Sequence, residues 1–200
     1  MGHRFADLDS VGAAVGVCCV CETAGREGEH RHRPEQQLFR RAYRRGAPAA
    51  GISGHVHKPP GGDAPRRREN ALLVVVDTNR PEQVEDADLL LSCNRVAVID
   101  HHRVAATYIH NAALGFIEPY ASSTCELMTE LLQEVVDQTD ILRCEAEALL
   151  AGIVLDTKSF TIRTGERTFD AAAYLRRSGC GHHRCQEAFA DRHGRHRRQV

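Results

Sequence analysis

Two continuous apolar runs in the middle of the chain each end in polar side chains. The first run covers residues 72–76 and ends in Asp77, and the second covers residues 96–99 of a strand expected at 95–99 and ends in Asp100, His101 and His102. Apolar runs without alternation are typical of strands that are buried on both faces of a parallel sheet. We therefore expect two strands that carry these polar groups at their carboxyl ends, where ligands bind in open α/β sheets.

Helical patterns lie around these strands. A helix is expected to start after Asp9 or Ser10, either of which is a good N-cap residue. The sequence Ser123-Thr124-Cys125-Glu126 is a capping box that opens another helix. Further helices are expected at residues 81–87, 144–155 and 168–177, with a short strand at 107–110. This alternation predicts an α/β fold with a doubly wound, mainly parallel sheet.

The same pattern suggests the domain boundaries. Residues 1–179 are interpreted as one domain, in which residues 25–70 hold five of the seven prolines and predict a loop or disordered insert. Residues 180–200 read as an irregular His- and Arg-rich tail, and the Cys/His cluster at 180–185 is spaced too loosely for a zinc site. Because no strand precedes His3, we expect the sheet to be incomplete at its N-terminal edge.

Composition narrows the class of protein. The chain has 200 residues, a formal net charge of −1 and a hydrophobic content of 42%. A near-neutral charge argues against a stable nucleic-acid partner, and no apolar run is long enough to span a membrane. Eight cysteines without a secretory signal are interpreted as reduced thiols, which predicts a cytoplasmic location.

Acidic and imidazole side chains occur at four comparable places, each at the end of an apolar segment or the start of a helix. They are His3, Asp7 and Asp9 before the first helix, Asp77 and Asp100-His101-His102 after the strands, and Asp156 after the apolar segment 151–155. In a doubly wound sheet these places converge on one crevice. Four carboxylates and two imidazoles suit two divalent ions, Mn²⁺ above all, which share a carboxylate and activate a water.

Taken singly, each of these side chains also has an ordinary structural interpretation. The acids suit a helix cap, a turn or the end of a buried segment, and the imidazoles suit a packed surface. The joint pattern favours a metal site, because crowded carboxylates repel one another unless cations lie between them.

Together these motifs resemble the DHH phosphoesterase superfamily. Longer matches resemble the DHH–DHHA1 catalytic module of membrane-anchored cyclic di-AMP phosphodiesterases, and they lie at residues 2–10, 75–81, 118–124, 156–160 and 163–165. The match is dense over residues 2–20 and 71–179. The second domain of that module, DHHA1, has no counterpart in this sequence.

The resemblance implies a ligand set for two manganese ions. One ion would be held by His3, Asp7 and Asp77. The other would be held by Asp9, Asp77, His101 and Asp156, so that Asp77 bridges the two.

The resemblance also implies residues that handle the substrate. His102 would face the scissile phosphate as a hydrogen-bond donor or acid, and Asp100 would orient an imidazole. Arg103 and Arg163 would contact phosphate. Ser122 and Ser123 would bring a helix N-terminus near the site, with simple capping as the alternative.

The activity implied by the resemblance is Mn²⁺-dependent hydrolysis of cyclic di-AMP to pApA. An oligoribonucleotide phosphatase, a single-strand exonuclease and a family II pyrophosphatase remain open, as does a catalytically inactive fragment that binds metal or nucleotide. The implied partner is a small cyclic dinucleotide. No membrane contact is expected from this chain, although full-length homologues lie at the cytoplasmic face of the membrane, and a homodimer is compatible with the family.

Overall fold

The computed structural model describes residues 1–26 and 68–179. Most of the expected insert at 25–70 and all of the expected tail at 180–200 lie outside the described residues. The domain boundaries therefore stay a prediction.

A parallel sheet of three strands forms the centre of the described part. The strands are β1 (Arg68–Val76), β2 (Cys93–Asp100) and β3 (Leu114–Ile117), in the spatial order β1-β2-β3. The register pairs Val76 with Ile99, so the residues that follow β1 and end β2 emerge side by side. The two predicted strands and their parallel arrangement are confirmed.

Five α-helices are present in the described ranges. They are α1 (Leu8–Arg26), α2 (Ala87–Ser92), α3 (Thr124–Val135), α4 (Arg143–Asp156) and α5 (Glu166–Arg177), with a 3₁₀ turn at Gln138–Asp140. None of them combines the length and apolar character that crossing a membrane requires.

Both faces of the sheet are covered, as the doubly wound prediction requires. Val76 and Ile99 pack on one face against a large core that α1, α3, α4 and α5 supply. Val75 and Val98 pack on the other face, where α2 contributes partly buried leucines. Helix α4 is buried around most of its circumference along its apolar stretch at residues 148–155.

Three local expectations are wrong, and each has a structural reason. No strand forms at 107–110, because the Ile109 amide donates to the backbone of Asn79 (2.9 Å) and not to a neighbouring strand. No helix forms at 81–87, because Val84 pairs with His3 in an antiparallel bridge and α2 starts only at Ala87.

The N-cap of α1 also lies two to three residues earlier than expected. Asp7 fills this role, since its Oδ1 accepts hydrogen bonds from the amides of Asp9 and Ser10, both at 3.0 Å. Neither Asp9 nor Ser10 caps this helix. Asp9 is thereby free to interact with another element.

The first residues of the chain are fixed between β1 and the segment that precedes α2. The Met1 ammonium donates to the Val74 carbonyl (2.7 Å) and the Val76 amide donates to the Met1 carbonyl (2.9 Å), the pattern of a parallel pair. On the other side, the amide of Arg4 donates to the carbonyl of Gln83 at 2.8 Å. These bonds place His3 at the carboxyl edge of the sheet.

Candidate metal centre

The six predicted metal ligands lie in one cluster at the carboxyl edge of the sheet. Their ligand atoms form groups within 4.8 Å of one another. The groups are His3, Asp7 and Asp77; Asp9, His101 and Asp156; and Asp77, His101 and His102. Residues from the N-terminal segment, the two strand ends and the last turn of α4 thus meet in one place.

The first group is built around His3. Its Nε2 lies 3.3 Å from Asp77 Oδ2 and 3.9 Å from Asp7 Oδ1. The carboxylates of Asp7 and Asp77 raise the pKa of His3 to about 10. Burial works to raise the pKa of Asp7, but the His3 ring and the Ser10 amide outweigh it and keep that pKa below its usual range.

The second group is built around His101, whose side chain is only 2% exposed. Its Nε2 lies 3.3 Å from Asp156 Oδ2, 3.6 Å from Asp77 Oδ1 and 3.7 Å from Asp9 Oδ2. Neither ring nitrogen has a hydrogen-bond partner within the described ranges. Burial lowers the pKa of His101, so the ring is held in the neutral form that binds metals.

Crowding of negative charge is the main electrostatic feature of the cluster. Burial, followed by the charge of Asp9, raises the pKa of Asp77 to about 8. Burial, followed by the charges of Asp9 and Asp7, raises the pKa of Asp156 to about 7. Buried carboxylates around an imidazole with two unpartnered nitrogens form a donor set that fits divalent cations such as Mn²⁺.

Backbone geometry supports this assignment at Asp77. Its φ is +62°, a conformation that few residues other than glycine adopt and that concentrates at functional sites. The residue directly follows β1, and its amide still donates to the Ile99 carbonyl of β2 at 3.0 Å. The positive φ turns the chain sharply at the strand end while the carboxylate stays buried in the cluster.

The N-terminus of α3 holds Asp9 in place. The amides of Thr124 and Cys125 donate to Asp9 Oδ2 (2.7 Å) and Oδ1 (2.8 Å), and the Thr124 hydroxyl donates to Asp77 Oδ1 (3.1 Å). A helix N-terminus favours a negative charge. No sequence motif assigned Thr124 to the site, although its place in the predicted capping box already marked a helix start.

His102 and Asp100 form a separate pair at the edge of the cluster. The His102 Nδ1 donates to Asp100 Oδ1 at 2.8 Å, and this hydrogen bond raises the pKa of His102. Asp100 is fully buried, whereas the side chain of His102 is 55% exposed. The imidazole that Asp100 orients is therefore that of His102, whose Nδ1 also lies 3.8 Å from Asp77 Oδ1.

Two predicted phosphate contacts lie in exposed loops. Arg103 directly follows His102. Arg163 has a φ of +50° and lies in a segment where Lys158, Ser159 and Phe160 also have positive φ. The positive charge of Arg163 lowers the pKa of Asp156, against the larger effect of burial, so this charge acts on the cluster.

Ser122 and Ser123 serve the start of α3. The Ser123 hydroxyl accepts from the Glu126 amide (3.1 Å), and the Ser122 hydroxyl donates to the Glu126 carboxylate (2.5 Å). Both side chains are buried. Their contacts match the capping alternative, and they support the helix N-terminus that holds Asp9.

Comparison with known proteins agrees with this geometry. Residues 1–153 match the model of the DHH family, N-terminal domain. The chain is 40% identical over 188 residues to the cyclic-di-AMP phosphodiesterase GdpP of Bacillus subtilis and 41% identical over 181 residues to the cyclic-di-AMP phosphodiesterase PdeA of Listeria monocytogenes. These matches cover 90% of this chain but only 27% of each relative.

Solved structures share the fold. An exopolyphosphatase-related protein from Bacteroides fragilis superposes with a TM-score of 0.65 over 94% of this chain and 54% of that protein, at 17% identity. A candidate family II inorganic pyrophosphatase from Methanococcus jannaschii gives a TM-score of 0.57 over 94% of this chain and 59% of that protein, at 20% identity. With the family match and the converged motifs, these findings show that the chain belongs to the DHH family.

Proposed function

We propose that this chain is the metal-binding part of a phosphodiesterase that hydrolyses cyclic di-AMP to pApA. The observation that carries the proposal is the cluster in which Asp77 is shared by two ligand groups. The 40% identity to a cyclic-di-AMP phosphodiesterase over 90% of the chain supports the substrate class. The chain spans about a quarter of the length of these relatives, so the substrate of the whole protein is part of the proposal.

The ligand assignment takes one group as it stands and adds Asp77, whose Oδ1 lies 3.6 Å from His101 Nε2, to the group of Asp9, His101 and Asp156. His3, Asp7 and Asp77 would hold one Mn²⁺, and Asp9, Asp77, His101 and Asp156 would hold the other. The bound ions would lower the pKa of a water so that it can serve as a nucleophile near neutral pH. The chain's own contribution is to keep His101 neutral, to fix Asp9 on the α3 N-terminus and to aim Asp77 between the groups.

Residues outside the ligand set would act on the phosphate. Hydrolysis forms one bond from water oxygen to phosphorus and breaks one bond from phosphorus to a ribose oxygen, which must gain a proton. The half-exposed His102 ring, held by Asp100, would donate a hydrogen bond or a proton to the phosphodiester. Arg163 and Arg103 would offset its negative charge.

An open cleft lies beside His3. A cleft of about 300 Å³ is lined by His3, Arg4, Phe5, Ala6 and Glu85. The Phe5 ring is 76% exposed, and the Arg4 guanidinium lies 5.0 Å from its centroid. An exposed aromatic ring with a cation over it can contact a nucleobase, so this cleft is compatible with a nucleotide substrate.

The test is an Mn²⁺-dependent assay with cyclic di-AMP, pApA, short RNA and pyrophosphate as parallel substrates. The proposal predicts cleavage of cyclic di-AMP that is lost in Asp77→Asn and kept in Asp170→Asn, a matched change at an exposed acid of α5. A clear preference for pyrophosphate or RNA would refute the substrate. Tight Mn²⁺ binding without turnover of any of them would favour the non-catalytic fragment.

The proposal also includes a cytoplasmic location and a homodimer. Sedimentation velocity of the purified chain tests the proposed homodimer. A concentration-independent monomer would refute it.

A further inference from the structure

Asn79 is a buried polar residue to which neither the sequence motifs nor the ligand groups assign a role. It is the third residue after β1 and is 2% exposed. Its Nδ2 donates to Asp100 Oδ2 at 2.6 Å, the shortest bond that Asp100 makes. The other oxygen of Asp100 accepts the His102 ring at 2.8 Å. Asn79, Asp100 and His102 thus form a hydrogen-bonded chain that leads outward from the sheet.

The same side chain also holds the loop that follows β2. Its Nδ2 lies within 3.4 Å of the carbonyl oxygens of His102 and Arg103, and its Oδ1 accepts from the Ala105 amide at 3.5 Å. Its own carbonyl accepts from the Ile109 amide at 2.9 Å. A single side chain, that of Asn79, therefore fixes a loop that carries two of the groups proposed to meet the phosphate, His102 and Arg103.

We propose that Asn79 is the positioning residue for His102, acting through Asp100 and the loop at 102–105. This role rests on the proposed phosphodiesterase function. The Asp100 carboxylate is fully buried, and a buried carboxylate that loses a donor is free to rotate or must find another partner. With Asn79 in place, Asp100 presents a fixed oxygen to His102, so the ring hydrogen stays on Nδ1 and Nε2 points away from Asp100.

The neighbouring Thr78 provides a matched control. It is as buried as Asn79, at 2%, but its hydroxyl interacts with Gln83 Oε1 (3.3 Å) and the Arg80 amide (3.2 Å). Thr78→Val therefore removes a buried polar group from the same turn without touching Asp100. Asn79→Leu keeps the approximate volume of the side chain while removing its donors and its acceptor.

The test uses the purified 200-residue chain and does not depend on turnover. The ring ¹⁵N signals of His102 are recorded by NMR at a pH where the ring is neutral. Wild type and Thr78→Val should both show a dominant Nδ1-protonated ring. Asn79→Leu should show averaging between the two tautomers, together with faster amide hydrogen exchange at 102–105. Mn²⁺ affinity by calorimetry should be unchanged in both variants.

Three results would overturn the inference. The first is a set of His102 ring ¹⁵N signals in Asn79→Leu that equals the set of the wild-type protein. The second is equal disturbance in Thr78→Val, which would mark a general packing effect. The third is loss of Mn²⁺ affinity in Asn79→Leu alone, which would make Asn79 a support of the metal ligands. If Asn79→Leu does not fold, Asn79→Ser, whose hydroxyl ends one bond short of the amide nitrogen, is judged by the same criteria.

This outcome is separable from that of the proposed function. The tautomer and exchange measurements concern the Asn79–Asp100–His102 chain in the metal-free protein. The substrate assay can fail while these measurements succeed, and the reverse also holds.

Discussion

At the residue scale, the site divides its charged groups between two tasks. His101 is buried, neutral and surrounded by three carboxylates, whereas His102 is half-exposed and bonded to Asp100. Adjacent imidazoles in one motif thus have different burial and different partners, although their ring centroids lie only 4.3 Å apart. We expect His101 to bind metal and His102 to act on substrate.

Replacing His102 tests this division. His102→Gln should lower kcat by roughly 10²–10⁴, the usual contribution of a positioned acid or base, with little change in Mn²⁺ affinity. His110→Gln is the matched control, since that ring lies in the same loop and packs on Tyr108 with 3.9 Å between centroids. Hydrolysis assays and calorimetry provide the two readouts. Parallel loss of Mn²⁺ affinity would instead make His102 a metal ligand.

At the element scale, the two strand ends and the convergence of the acids were predictable from sequence. Apolar runs that end in Asp77 and Asp100 need no tertiary information, because parallel strands bring their carboxyl ends to one edge. The helix at Thr124 was predicted from its capping box, but its contact with Asp9 was not predictable. A contact between Asp9 and Thr124 spans 115 residues, and no local pattern encodes it.

The same lack of long-range information in local sequence explains the wrong predictions of a helix at 81–87 and a strand at 107–110. Pro81 suggested a helix start, but the backbone at 83–85 is used to bind the N-terminal segment. The 107–110 segment has strand-like residues, but its Ile109 amide donates a hydrogen bond to the Asn79 carbonyl and not to a neighbouring strand. In both places tertiary hydrogen bonds outweigh local propensity.

A close contact between helices α1 and α4 supports the candidate metal centre. A Cβ on Gly152 of α4 would lie 2.9 Å from Asp9 Cα. Gly152→Ala should therefore destabilise the fold by about 1–3 kcal/mol through overpacking. It should also weaken Mn²⁺ binding, since Asp9 must shift.

Urea unfolding and Mn²⁺ calorimetry check this effect. Ala173→Ser, at an exposed position of α5, is the control and should change neither quantity. A Gly152→Ala protein with wild-type stability and affinity would show that the α1–α4 contact does not determine the position of Asp9.

At the scale of the whole molecule, the crowded acids make the metal-free fold sensitive to pH. The pKa values of Asp77 (about 8), Asp156 (about 7) and His3 (about 10) all lie above those of the unfolded chain. Between pH 6.5 and 8.5 the folded state therefore binds more protons than the unfolded state. Stability must fall as pH rises, by on the order of 1.4 kcal/mol per pH unit for each proton of difference.

Groups whose titration has the opposite effect on stability do not reverse this fall with rising pH. The pKa of the Met1 ammonium is lowered by burial, which favours folding as pH rises but involves one proton only. The lowered pKa of His101 changes the free energy of unfolding below pH 6.5. Urea midpoints in EDTA at pH 6.5 and 8.5 measure the net effect. Saturating Mn²⁺ should abolish the decline, and a metal-free midpoint that rises with pH would contradict the assigned cluster.

The most direct test of the central claim is the stoichiometry of Mn²⁺ binding, measured by isothermal titration calorimetry on the wild-type chain and on Asp77→Asn. Asparagine tolerates the positive φ at this position, so the change removes charge without breaking the turn. Because Asp77 is shared by two ligand groups, we predict two ions per wild-type chain and loss of high affinity for both in the variant. A single ion per wild-type chain, or unchanged binding in Asp77→Asn, would contradict a dinuclear centre bridged by this residue.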